Sequence, residues 1–193
     1  MKKILFYTLL ISMVLSCKNQ TQGATEQEHQ HTVGKANDTS TKKTLSPHTF
    51  AMNMIGDAHI HIDYSSPSMR GRIIFGGLLP FDEVWQSGAH KATWFETNKD
   101  LLIDNKVLKA GKYGLFTIPS KEEWTVIFNT NWDQHGKDDY DPKEDVLRFK
   151  VKPEYTEKAV ENLTYKVAGL SESEGKVSLS WENVSIGFKV KVE

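Results

Sequence analysis

The chain has 193 residues, a formal net charge of −1, 25% charged residues and a single cysteine. That length holds one domain of ordinary size beside any export and linker segments, large enough to bury its own core without a staple. A lone cysteine excludes an internal disulfide, and the well-mixed, near-neutral charge offers no phosphate-binding surface, which sets nucleic acid aside as a partner.

At the N-terminus, Lys2 and Lys3 precede an apolar run from Ile4 to Leu15. This run is shorter than the roughly 20 residues a membrane-spanning helix needs, and it has the build of a signal peptide. Val14-Leu15-Ser16-Cys17 closes it. A small residue before a cysteine at this point resembles a bacterial lipobox, in which the cysteine becomes the acylated first residue of the mature protein. Residues 1–16 therefore read as a lipoprotein signal peptide and Cys17 as the lipid anchor that makes a membrane the first partner. The expected location is the bacterial cell envelope, lipid-anchored and facing the periplasm. From Cys17 to residue 45 the chain is rich in Gln, Thr, Asn, Lys and His. Such a stretch buries too little apolar area to offset ordering, so it reads as a disordered tether spanning about 30 Å.

From Pro47 onward the hydrophobic period is two. In Asp57 to Tyr64, Ala58, Ile60, Ile62 and Tyr64 share one face while Asp57, His59, His61 and Asp63 share the other. A one-turn helix fits near Phe81 to Trp85. Leu101 to Ile103 and Lys106 to Leu108 flank Asp104-Asn105, the chemistry of a tight hairpin. A strand runs from Gly111 through Tyr113, Leu115 and Thr117 to a stop at Pro119. Trp124 to Asn129 is a β-rich run, and Val146 to Val151 follows it. Leu163, Tyr165 and Val167 form a further strand, turned by Ser171 to Gly175 into Val177, Leu179 and Trp181. After a turn or kink at Glu182-Asn183, Ile186, Phe188, Val190 and Val192 alternate again. About nine short strands without an amphipathic helix predict an all-β domain over residues 46–193, an antiparallel β-sandwich of jelly-roll-like type.

Several stretches resemble one uncharacterised family, the domain of unknown function twenty-nine eleven of Bacteroidetes-type envelope lipoproteins. They are Tyr64-Ser65-Ser66-Pro67 with Gly71 to Gly76, then Val84-Trp85 to Thr93, Ala110 to Tyr113 with Phe116 to Pro119, and Trp124 to Ile127. The similarity runs from Ser46 to about Pro153 and loosely beyond. It implies a β-rich envelope domain and no established reaction. Where the family pattern carries an asparagine, this chain has His90.

Three constellations carry candidate chemistry. His59, His61 and Asp63 share one strand face with alternate residues about 7 Å apart, and His59 and His61 with His90 or His135 would make a zinc-type ligand set. A half-exposed strand explains the same residues. The loop Asn129 to Lys143 holds Trp132, Asp133, His135, Asp138, Asp139, Tyr140 and Asp141, rings beside carboxylates that suit a sugar. Its rings would equally serve to pin a long loop. Arg70 and Arg72 beside Tyr64 would clamp a carboxylate or phosphate, or else cap loop carbonyls. No serine or cysteine nucleophile motif and no phosphate-cradling glycine loop is present.

The first reading is accordingly a non-catalytic module that binds a small polar ligand or glycan without a cofactor, lined by Tyr64, Arg70, Arg72, Trp85, His90, Trp132 and His135. The alternatives are a metal-dependent envelope hydrolase using zinc or a similar divalent ion at His59, His61, His90 and His135, and a structural or assembly lipoprotein with a protein partner.

Overall fold

The alternation read from the sequence resolves into ten strands in the computed structural model, which describes residues 44–193. The signal peptide, Cys17 and nearly all of the tether lie outside the described residues. The strands are β1 (His48–Ile55), β2 (Ala58–Ser65), β3 (Trp94–Thr97), β4 (Leu101–Ile103), β5 (Lys106–Leu108), β6 (Gly111–Ile118), β7 (Trp124–Asn129), β8 (Asp145–Val151), β9 (Glu154–Gly169) and β10 (Glu174–Val192). They build a six-stranded sheet in the order β1-β2-β3-β6-β7-β8 and a four-stranded sheet in the order β5-β4-β10-β9. Every neighbouring pair is antiparallel, and the two sheets face each other as the expected sandwich.

The core is the sum of the inward faces. Ile60, Ile62, Phe95, Leu115, Val126 and Phe128 come from the first sheet, and Leu163, Val177, Leu179, Trp181 and Val190 from the second. At one end Phe75, Trp85, Trp124 and Trp181 pack edge-to-face or stacked, with Phe75 and Trp124 centroids 4.8 Å apart. Such pairs add to the large apolar area each ring buries.

Four local outcomes depart from simple alternation. In β1 the large apolar residues Phe50, Met52 and Met54 face outward and are half exposed. Phe81 to Trp85 forms turns and not a helix: Asp82 adopts φ 63°, and the Asp82 and Trp85 amides donate to the carbonyls of Pro119 and Thr117. The chain there is pinned across to β6 and cannot close a helical turn. Glu182 is a bulge inside one continuous β10, with φ 55° and register shifts on both sides. The first half of β9, Glu154 to Ala159, is exposed on both faces and is held to β10 by the ladder and by the Asn183 side chain, which donates to the Thr156 and Glu157 carbonyls, so it carries no hydrophobic period. At Asp104-Asn105 both residues take positive φ, 50° and 60°, the type I′ hairpin geometry that their short polar side chains tolerate.

Candidate functional site

The outer face of the six-stranded sheet carries two features: a roof of loops over β6 and β7, and a row of rings across β1, β2 and β3. The roof comprises residues 82–93 and 130–142. Beneath it Ala92, Phe116 and Ile127 are buried, with Val84, Ile118 and Tyr140 packed on them. This second small core explains why every residue of β7 is buried, on both faces of the strand.

The Trp85 to Thr93 stretch is the scaffold of that roof. Trp85 is 4% exposed and its indole N–H donates to the Gly88 carbonyl. Ser87, fully buried at φ 55°, shares a hydroxyl bond with Thr117, and its carbonyl accepts from Thr93 Oγ1 and Tyr165 OH. A Cβ on Gly88 would lie 2.6 Å from Thr93 Oγ1, so only glycine fits there. The stretch is thus a buried polar knot whose exposed tip displays His90, at φ 63°.

The second loop is clamped to that tip. Gly136 N donates to the His90 carbonyl at 2.7 Å, Ala92 N to the Gln134 carbonyl at 3.0 Å, and Lys91 pairs with Asp133 at 2.9 Å. Asn129, with no exposed surface, anchors its stem through the Asp141 carbonyl, Asp145 Oδ1 and the Asn131 amide. Tyr140 donates its hydroxyl to Asp145 at 2.9 Å; burial, then that carboxylate, pushes the phenol up to about 12. Below the unfolded value near 10 this difference contributes its full stability, and the contribution is lost as pH rises through about 12. Urea midpoints measured across that window should fall with pH, and Tyr140→Phe should flatten the fall.

Next to the roof lies the row of rings. Phe50 and His61 stack with centroids 5.4 Å apart at 20°, and His61 and Trp94 at 5.0 Å and 13°. Register explains the contact: β1 pairs Phe50 with Asp63 and β3 pairs Trp94 with the same Asp63, while His61, two residues earlier on the same face of β2, lies diagonal to both and its ring fills the space between them. Gly114 faces Trp94 from β6, and a Cβ there would come within 3.3 Å of the Trp132 Cα. Its bare backbone lets the second loop approach, and Trp132 meets Trp94 at 6.4 Å and 67°. In the corner between the two indoles sits the ammonium of Lys112, 3.4 Å from the Trp94 centroid and 3.9 Å from that of Trp132. Both distances are well inside the roughly 6 Å range of cation–π attraction.

The residues singled out from the sequence fall in three places. Trp132, His90 and His135 come together on the two roof loops, where Lys91 and His135 form an isolated β-bridge. Arg70 and Arg72 lie elsewhere, in the loop after β2. Arg72 caps the Met69 and Ser68 carbonyls, and the Arg70 amide donates to Glu161. Tyr64 and Trp85 are core residues. The Tyr64 hydroxyl is turned inward to accept the Tyr165 amide, and burial raises its pKa. His59 and His61 stay on the outer face of β2 with ring centroids 6.1 Å apart, and Asp63 pairs with His48 at 2.8 Å. Among the described residues no three His, Cys, Asp or Glu side chains gather in a way that could hold a metal ion. Trp94, Lys112 and Phe50 are the members of the row that sequence reasoning missed. The outward parity of Lys112 on its strand was the one available signal.

Compared with known proteins, residues 46–190 match the family described as "Protein of unknown function (DUF2911)". The match extends the resemblance past Pro153, through β9 and most of β10. No curated protein and no solved structure matches the chain.

Proposed function

Because this chain belongs to the DUF2911 family, whose description assigns it no reaction, we propose from its geometry that it is a non-catalytic binding module for a small polar ligand or glycan. One observation carries the reading: the Lys112 ammonium is held in the corner of Trp94 and Trp132 on an outer sheet face. Two indoles fix the cation without neutralising it, so it remains available to a hydroxyl, carboxylate or phosphate of a ligand. The exposed polar groups of the adjoining loops, His90, Lys91, Asp133, His135 and Asp138, supply further hydrogen-bonding partners around it. A sugar presents hydroxyls at its edge and C–H groups on its face, which matches charged groups beside indole surface. In this reading a lipid on Cys17 holds the module at the envelope, and the tether lets it reach its ligand.

The test is retention of the full chain on a panel of neutral and anionic glycans, followed by titration. At least one glycan should bind, with affinity falling about tenfold in Trp132→Ala and in Lys112→Gln. Retention of no glycan, or variants that bind as the wild type does, would overturn the proposal.

A further inference from the structure

At the end of the sandwich marked by the Phe75, Trp124 and Trp181 cluster, a separate pocket opens, with Phe75, Phe81, Trp124 and Tyr155 as aromatic lining and Glu182 and Asn183 as polar lining. Its volume is about 190 Å³, below the roughly 300–1,000 Å³ of pockets for drug-sized ligands. The occupant it suits is the size of a headgroup. The polar side comes from the β10 bulge. A strand without it would continue to alternate past Trp181, whereas the left-handed turn at Glu182 brings two successive polar residues to the pocket. Bulges that re-aim side chains are over-represented next to functional sites, and a non-glycine residue at positive φ stores strain that such sites retain.

We propose that this pocket binds a small organic cation of the ammonium type, with Glu182 as its counter-charge and the rings of Phe81 and Tyr155 as its walls. The Phe75 amide donates to Glu182 Oε2 at 3.2 Å and fixes the carboxylate. A carboxylate offers about four acceptor positions, so one amide leaves it far from satisfied. Among the described residues no lysine, arginine or histidine forms an ion pair with Glu182. Lys121 Nζ stands 5.9 Å from the Phe81 centroid, at the limit of cation–π contact. An unpaired carboxylate among aromatic faces and edges favours a weakly hydrated cation over a neutral or anionic guest. The Tyr155 hydroxyl donates to the Lys121 carbonyl, which holds that ring in place although 63% of the residue is exposed.

The experiment is calorimetric titration of the purified full chain with choline and with its neutral isostere 3,3-dimethylbutan-1-ol. Choline should bind at one site per chain and the isostere about tenfold more weakly. Glu182→Gln, which keeps an acceptor for the Phe75 amide, should weaken choline binding by about tenfold or more, and Tyr155→Ala, at an exposed position, should weaken it without unfolding the protein. Trp132→Ala should leave it unchanged, which separates this pocket from the roof. Equal binding of choline and its isostere, full affinity in Glu182→Gln, or no saturable choline binding would overturn the assignment.

Discussion

Trp181→Ala is expected to cost about 3–5 kcal/mol of stability, the range for emptying a large aromatic from a packed core. Trp181 is 1% exposed and stands where three rings converge, stacked at 6.0 Å on Trp85 and edge-on at 6.2 Å to Phe75. Its indole N–H also donates to the Glu161 carbonyl at 3.2 Å, tying β10 to β9 immediately before the bulge. Alanine would leave a cavity that neither sheet can collapse into, because the neighbouring rings are themselves held by Trp124 and the roof scaffold. For a domain of this size each kcal/mol moves the thermal midpoint by roughly 2–4 °C, so the variant should melt roughly 6–20 °C below wild type. The urea midpoint should fall in parallel. Leu170→Ala, at a half-exposed position, should stay within about 0.5 kcal/mol. Comparable losses in the two variants would mean that the aromatic end is not a principal part of the core.

Asn129→Ala is expected to cost about 2–4 kcal/mol and to free the second roof loop from the sheet. The side chain satisfies three groups at once, the Asp141 carbonyl and Asn131 amide of the loop and the Asp145 carboxylate of β8, at 2.8 to 2.9 Å, and is itself fully buried. Alanine would leave the Asp141 carbonyl and the Asn131 amide without their partner and would loosen Asp145, which retains Tyr140 and Arg148. Lys137 lies in the middle of that loop, so trypsin cleavage after it should accelerate while cleavage elsewhere follows the global stability. If the module binds a glycan as proposed, that affinity should drop with it, since Trp132 reaches Trp94 only while the loop stem is closed. Unchanged proteolysis at Lys137 would show that the clamp to His90 and Gln134 suffices without Asn129.

The pairing of fold and site explains which readings of the sequence were sound. In β2 the alternation of Ala58, Ile60, Ile62 and Tyr64 against His59, His61 and Asp63 survives intact, because a two-residue period needs only one buried face to enforce it. That same period places Tyr64 among the inward set, which is where its ring lies, so its place in a candidate ligand site rested on residue type alone. Trp85 misled in the same way: a motif tryptophan signals importance without saying whether it faces a ligand or a core. In β1 the outward Phe50, Met52 and Met54 invert the usual pattern, since the sequence marks them as apolar but not as exposed.

What the sequence by itself determined is local: the β-rich domain and its family, the two-residue faces of the clear strands, the Asp104-Asn105 hairpin, and the long loop carrying Trp132. These follow from short-range sterics and from the need of each strand to hide one face. Only the tertiary structure decided that residues 50, 61, 94, 112 and 132 form one row, that Ser87 and Thr93 bury a polar knot, and that Glu182 is a bulge facing a pocket. Those facts depend on strand order and register between segments far apart in the chain. Register is selected by how both sheet faces and both loops pack at once, a sum over long-range contacts that no window of sequence contains.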